Sequence, residues 1–320
     1  MMRTAECITP HHPDKICDRV SDAILDACLE QDPASRVAIE TLGGHRKIVV
    51  MGEITTDAEI DIPAVVRTVY DDVDNIDVHV VKQSNFISQG VDTGGAGDQG
   101  IMVGYACNEN EAKIPQELYL ARQLCQILYE EYPFDGKTQV TLDDGVITAV
   151  VASFQNASGL ELYNRVEEWL DDQGYKNPSG SVEIHCNPAG DWEVGGFDAD
   201  TGLTGRKLVV DNYGPRVPIG GGAFSGKDPS KVDRSAAYMA RRIAVDYLNK
   251  HDAQEVYVYL AYAIGHPAPV QATAIVDGES VTVSEYDLSP IGISSLLDLR
   301  TPKYRKTADW GHFGNGFVWG

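Results

Sequence analysis

Gly220-Gly221-Gly222-Ala223-Phe224-Ser225-Gly226-Lys227-Asp228-Pro229-Ser230-Lys231-Val232-Asp233 is the most informative run in the 320-residue chain. Its leading glycines let backbone N–H groups crowd an anion, its two lysines fix positive charge, and Asp233 offers a carboxylate to a metal. With 48 acidic against 26 basic residues, the chain has little general affinity for phosphate. Cations concentrated here therefore point to a polyphosphate held together with a divalent ion. Residues 221–227 fit the first seven positions of G-x-x-x-x-G-K-[ST], but Asp228 replaces the hydroxyl of the eighth. The preceding residues 212–218 are polar and carry two prolines, so no buried strand leads in. A phosphate cradle other than the P-loop fits better.

Outward from this run, the pattern predicts a helix over 229–249, with Asp228 as N-cap and Val232, Ala236, Ala240, Ile243 and Tyr247 on its apolar face. Two other helices start at prolines: 13–30, with Ile16, Val20, Ala23, Ile24, Ala27 and Cys28 facing one way, and 115–131. A further helix over 160–172 turns Tyr163, Val166, Trp169 and Leu170 inward. Alternating segments predict hairpins over 36–42 and 46–54, and over 138–142 and 146–154, and strands over 256–264 and 270–276. Hairpins alternating with helices three times imply an α+β fold of three similar, intertwined units. Their bounds are read as 1–92, with His-Pro-Asp-Lys, 93–213, and 214–320, with the glycine-rich loop.

A net charge of −22 argues against nucleic acid or an anionic membrane as partner. The six cysteines lack Cys-x-x-Cys spacing, which favours buried thiols over zinc or disulfides. No basic-then-apolar leader opens the sequence and no apolar run reaches about 20 residues, so a cytoplasmic protein is expected.

Other candidate residues lie elsewhere. His12-Pro13-Asp14-Lys15 occupies a helix's first turn, where exposed N–H groups favour anions. His12 there can stabilise charge on a departing oxygen and Asp14 can ligate Mg²⁺; both residues also read as ordinary caps. Arg206 can grip phosphate bidentately and Lys207 and Lys137 can act as point charges, although each alone also reads as solvated surface. Glu40 and Glu53 interrupt apolar strands, as carboxylates paired with a cation or as outward-facing residues. Asp98 sits in a glycine loop suited to a lid or a ribose contact.

Together, His12-Pro13-Asp14-Lys15, Gly95-Ala96-Gly97-Asp98-Gln99-Gly100, Gly202-Leu203-Thr204-Gly205-Arg206-Lys207, Gly220 through Arg234, and Trp310-Gly311-His312-Phe313-Gly314 resemble the methionine adenosyltransferase (S-adenosylmethionine synthetase) family over nearly the whole chain. The resemblance implies three α+β units about a pseudo-threefold axis. It implies attack of the L-methionine sulfur on C5′ of ATP, followed by hydrolysis of the released tripolyphosphate to diphosphate and phosphate.

Carried over by position, His12 stabilises the departing O5′, and Asp14 and Asp233 bind two Mg²⁺. Lys15, Lys137, Arg206, Lys207, Lys227 and Lys231 hold phosphates, and Glu40 is the K⁺ carboxylate. Glu53, Gln89 and Asp200, with Lys231, bind methionine. Asp98 and Asp135 contact the nucleoside, and Trp192 and Ile264 flank adenine. A homodimer with sites at the subunit interface is implied, able to pair into a dimer of dimers. The alternatives are a tripolyphosphatase without the methionine step and a nucleotide-binding regulatory subunit; keeping Glu53, Gln89 and Asp200 argues against the first.

The chain departs from the family pattern at Pro10-His11, Trp192 and Thr201. It is also short between Thr68 and Lys82 and after Asp92, where Asp92-Thr93-Gly94-Gly95 stands for a longer lid. A shorter lid implies a site open to larger S-alkyl groups. L-ethionine and longer S-alkyl homocysteines are expected to turn over; rejection of all of them in a product assay would overturn this.

Overall fold

A computed structural model of the chain describes residues 1–83, 94–174 and 182–320. Strand β1 (Met2–Ile8) leads to helix α1 (Pro13–Gln31), the hairpin β2 (Arg36–Gly44) and β3 (Lys47–Thr55), α2 (Ile62–Arg67) and β4 (Asn75–Val81). Next come β5 (Gly100–Cys107), α3 (Gln116–Glu131), the hairpin β6 (Gly136–Asp143) and β7 (Val146–Phe154), α4 (Gly159–Asp172) and β8 (Glu183–Cys186). The remainder is β9 (Gly202–Leu203), α5 (Leu208–Asp211), α6 (Val232–His251), β10 (Glu255–Tyr262), β11 (Gln271–Val276), β12 (Glu279–Thr282), α7 (Pro290–Leu296) and α8 (Tyr304–Thr307).

A long helix followed by a hairpin recurs three times, as α1 with β2–β3, α3 with β6–β7 and α6 with β10–β11. Each hairpin pairs with a strand from elsewhere: β9 joins β2, β1 joins β6, and β5 joins β10. Every strand that precedes a long helix is thus lent to the next unit's hairpin, which interlocks the three four-stranded sheets. The hairpin turns follow from local chemistry. His45 and Arg46, Asp144 and Gly145, and Asp277 and Gly278 all take positive φ, the two-residue geometry that matches strand twist.

The structure corrects four expectations. Tyr163 faces out and its hydroxyl donates to Glu167, while Leu162 takes the inward position one helical step away. The sixth helix begins at Val232, not at Pro229, and Lys231 is its N-cap. Asp228 instead accepts from the amides of Ser230 and Val37, at 2.8 Å each, which pins residues 228–231 as a turn against β2. Helix α1 is buried on its polar side as well as its apolar side: Asp14, Lys15, Asp18, Ser21 and Asp22 are all enclosed, while Ala27 is only half-buried. The third hairpin continues into β12, which the sequence reading did not anticipate.

The polar side of α1 is covered because it docks segments distant in sequence. Asp22 and Arg234, both fully buried, form a bidentate pair at 2.7 and 2.8 Å. Arg234 also donates to the Lys227 carbonyl at 3.1 Å and to Thr307 Oγ1 at 3.2 Å, and lies over the Tyr304 ring at 4.2 Å. Removing one partner leaves an uncompensated buried charge, so Arg234→Leu is expected to cost about 3–5 kcal/mol. Asp22→Leu/Arg234→Leu should recover much of that loss in urea unfolding. Additive losses in the double variant would refute the coupling.

Candidate active site

The first turn of α1 builds one wall. His12 is the N-cap, its Nδ1 accepting the Asp14 amide at 3.2 Å, with Pro13 at the first helical position. Burial, then Lys207, lower the imidazole pKa to about 3 against the opposing pull of Asp14. The ring is therefore neutral near pH 7, and with Nδ1 accepting, its proton is assigned to Nε2. Asp14 is enclosed, accepts from the Leu203 amide at 3.0 Å and Lys207 Nζ at 2.6 Å, and forms an ion pair with Arg206 Nε at 3.0 Å. Burial opposes its ionisation, but Lys207 and the Leu203 amide prevail and hold it below the usual carboxylate range. Lys137, exposed at the start of β6, and Asp200, also exposed, both bear on the charge of His12. Asp135 accepts from the Gly196 amide at 3.0 Å, and burial raises its carboxyl above the ordinary range.

The glycine-rich loop builds the facing wall. Lys227 Nζ donates to Asp233 at 2.7 Å, and the other Asp233 oxygen accepts the Gly222 amide at 3.0 Å. Lys231 Nζ reaches Asp228 at 2.5 Å. Lys227 shares a cleft of about 360 Å³ with Glu40, Glu53, Thr204, Ala223 and Ser225. The two walls touch at Gly205, where an added Cβ would stand 2.3 Å from that of Ala223. Arg206 and Lys207 line a separate cleft of about 450 Å³, whose Gly205 follows the Thr204 of the first cleft in sequence. A larger cleft of about 700 Å³, lined in part by Arg36, Pro229, Ser230, Ile291 and Arg300, contains none of the expected site residues. Glu40, Glu53 and Lys227, with the Arg206-Lys207 cleft beside them, make the cleft of about 360 Å³ the candidate.

Other expected residues lie elsewhere. Lys15 is a correction: it is 1% exposed, with its ammonium between Asp211 at 2.5 Å and Asp18 at 3.1 Å, so it faces no cleft. Burial opposes its charge, yet the two carboxylates outweigh that and raise its pKa. Trp192 is half-buried, its Nε1 donating to Asn187 at 3.2 Å. Asp98 accepts only its neighbour Gln99's amide among the described contacts, and Ile264 is exposed. Their loops join each other, through Ala96 N to His266 O at 2.9 Å and Gly265 N to Ala96 O at 2.8 Å, and not the His12 group. Gln89 and the Asp92-Thr93 part of the short loop lie outside the described residues.

Asp18, Asp22, Asp228 and Arg234 were missed as site residues. The available signal was the spacing of Asp14, Asp18, Asp22 and Asp26, one aspartate per turn of a single helix.

Three interlocked helix–hairpin units that carry their cations on loops rich in glycine define an α+β protein of a specific class. The profile of the S-adenosylmethionine synthetase N-terminal domain matches residues 1–90, that of the central domain 93–192 and that of the C-terminal domain 194–320. S-adenosylmethionine synthase of Brachyspira hyodysenteriae is 42% identical over 375 residues, covering 99% of this chain and 94% of the relative. S-adenosylmethionine synthase 1 of Rhodospirillum rubrum is 40% identical over 362 residues, with the same two coverages. The chain belongs to the S-adenosylmethionine synthetase family. Alignments longer than the 320-residue chain mean that these relatives carry internal residues it lacks. No helix among the described residues is long and apolar enough to cross a membrane.

Behind the glycine-rich loop, His312 is 1% exposed, packs edge-on to Phe224 and contacts the Tyr238 hydroxyl through Nδ1 at 2.7 Å. Burial, then Arg234, hold its pKa well below the usual value. The unfolded chain binds a proton at this site near pH 6.5 and the folded chain does not, so this stability is present above that pH and lost on acidification. The stability advantage of the wild type over His312→Asn should therefore shrink by roughly 1–2 kcal/mol between pH 8 and pH 5. Denaturant midpoints measure it, and a gap independent of pH would count against the assignment.

Proposed function

We propose that the chain makes S-adenosylmethionine from ATP and L-methionine and then hydrolyses the tripolyphosphate. The sulfur lone pair forms the S–C5′ bond while the C5′–O5′ bond breaks, its electrons going to O5′. Sulfur becomes a sulfonium and intact tripolyphosphate departs; water then splits it into diphosphate and phosphate. The observation that carries this reading is His12 capping the first turn of α1 beside Asp14, which Arg206 and Lys207 grip. A displacement at carbon needs no nucleophilic side chain, only stabilisation of the oxygen where charge develops.

The Nε2–H of His12 donates to the departing O5′. Arg206, Lys207, Lys227, Lys231 and Lys137 hold the phosphates. Glu53, Gln89 and Asp200 orient methionine, and Lys231 takes its carboxylate. Asp135 and Asp98 contact the nucleoside, with Trp192 and Ile264 on the adenine.

Asp233 suits Mg²⁺, and Asp14, 0% exposed with its oxygens engaged by Leu203, Arg206 and Lys207, would reach Mg²⁺ only as those two cations turn to the phosphates. Each is one hard oxygen donor beside a lysine, and Mg²⁺ commonly takes one or two carboxylates and completes its shell with substrate phosphates and water. No group of three His, Cys, Asp or Glu among the described residues forms an all-protein cage, which agrees with such a shared shell. Bound there, Mg²⁺ supplies charge neutralisation on the phosphate oxygens. Glu40, exposed on β2, is the proposed K⁺ ligand.

A homodimer in which a second copy completes the site is the proposed assembly. One face of the β4-β3-β2-β9 sheet exposes Leu42, Met51, Val81 and Leu203, an apolar surface suited to this pairing. Pairing of dimers into a dimer of dimers requires a second surface, and sedimentation would reveal it.

Incubation with ATP, L-methionine, Mg²⁺ and K⁺ should yield S-adenosylmethionine, diphosphate and phosphate in equal amounts. His12→Asn should lower kcat on the order of 10²–10³-fold. Phosphate without S-adenosylmethionine would replace the reading with a polyphosphatase.

A further inference from the structure

Helix α1 sets Asp14, Asp18, Asp22 and Asp26 one turn apart, and each accepts backbone amides from a different place. Asp14 takes Leu203, Asp18 takes Gly205 at 2.8 Å, Asp22 takes Gly226 at 2.8 Å, and Asp26 takes Lys303, Tyr304 and Arg305 at 2.9 Å each. Two of these amides immediately precede cleft cations: Gly205 comes before Arg206-Lys207, and Gly226 before Lys227. Both glycines have φ near +80°, and a Cβ on Gly226 would lie 1.9 Å from the Ile39 carbonyl oxygen. Each loop is thus pressed into one tight conformation. Asp18 and Asp22 themselves are 0% exposed and cannot touch a ligand.

The cations on these loops repel one another and belong on one polyphosphate. Side-chain ion pairs alone leave long, rotatable stems, whereas an anchored backbone amide fixes where each stem begins. The hydroxyl of Thr204 reinforces the first loop, contacting Ser21 Oγ at 2.8 Å and accepting the Thr41 amide at 2.9 Å. Arg234 reinforces the second, since it holds both Asp22 and the Lys227 carbonyl.

We propose that Asp18 and Asp22 are positioning residues for the chemical step, aligning Arg206-Lys207 and Lys227 on one polyphosphate through the amides of Gly205 and Gly226. This rests on the function proposed above. Asp26 is the internal control, for it lies on the same helix and caps amides of a segment that carries none of the cleft cations.

Wild type is assayed first for S-adenosylmethionine; if it forms none, the functional reading fails before the variants are considered. Given an active wild type, Asp18→Ala is expected to lower kcat roughly 10- to 100-fold, as misalignment does, with the methionine KM within about threefold. Asp18→Asn, which keeps an oxygen for Gly205, should recover most of that kcat. Asp26→Ala should keep kcat within about threefold even where its thermal midpoint falls as far. An unchanged kcat in Asp18→Ala, no recovery in Asp18→Asn, or an equal loss in Asp26→Ala would each overturn the proposal. Asp18→Ser decides on the same criteria if Asp18→Ala does not fold.

Discussion

The buried pair between Asp22 and Arg234 is the constraint on which the rest of the arrangement depends. Arg234 joins four parts of the chain at one point: helix α1 through Asp22, its own helix, the glycine-rich loop through the Lys227 carbonyl, and the C-terminal segment through Thr307 and Tyr304. Desolvating two charges is expensive, and an apolar pair of similar volume would often be at least as stable. What an apolar pair could not do is fix the direction of a carbonyl and an amide within the same junction. Gly226 N also reaches Asp22, so the loop that bears Lys227 is set by the pair's two ends.

The same logic accounts for an acidic chain that handles anions. With a net charge of −22, positive potential has to be assembled locally rather than supplied by the whole surface. Asp14 holds Arg206 and Lys207, Asp233 holds Lys227, and Asp228 holds Lys231. Each pairing keeps a cation in place near its neighbours, at a cost in net charge that an anionic ligand and a divalent ion together would change. The low pKa of His12 belongs to the same balance, because burial and the nearby Lys207 both disfavour a second positive charge on the ring.

Most of the fold was legible because its signals are local. Alternation marked the strands, prolines marked helix starts, and positive-φ turn residues joined two of the hairpins. The helix start at 229 misled because a proline after an aspartate reads as a cap and first turn, whereas Asp228 turns inward to Val37, a partner 191 residues away. Intertwined units were expected, but which strands cross was hidden, since β1, β5 and β9 find their partners only in three dimensions. Cleft residues on glycine-rich loops stood out, since charge beside glycine has no core explanation. Lys15 was misread because a buried lysine between Asp18 and Asp211 has the same local sequence as an exposed one.

Helix α1 shows why the remaining positions escaped notice. An amphipathic pattern ordinarily assigns polar residues to solvent, and Asp18 and Asp22 fit that assignment by composition. Here the polar face is packed as tightly as the apolar one, because loops rich in glycine offer it unpaired amides instead of hydrocarbon. A carboxylate that receives a backbone amide is satisfied without a cation of its own, as Asp26 demonstrates with three of them. One aspartate per turn is therefore a pattern for docking loops onto a helix, and it carries structural information that hydrophobic periodicity does not measure. In this chain two of the docked loops carry Arg206-Lys207 and Lys227, so the helix's second buried face joins the core to those cations.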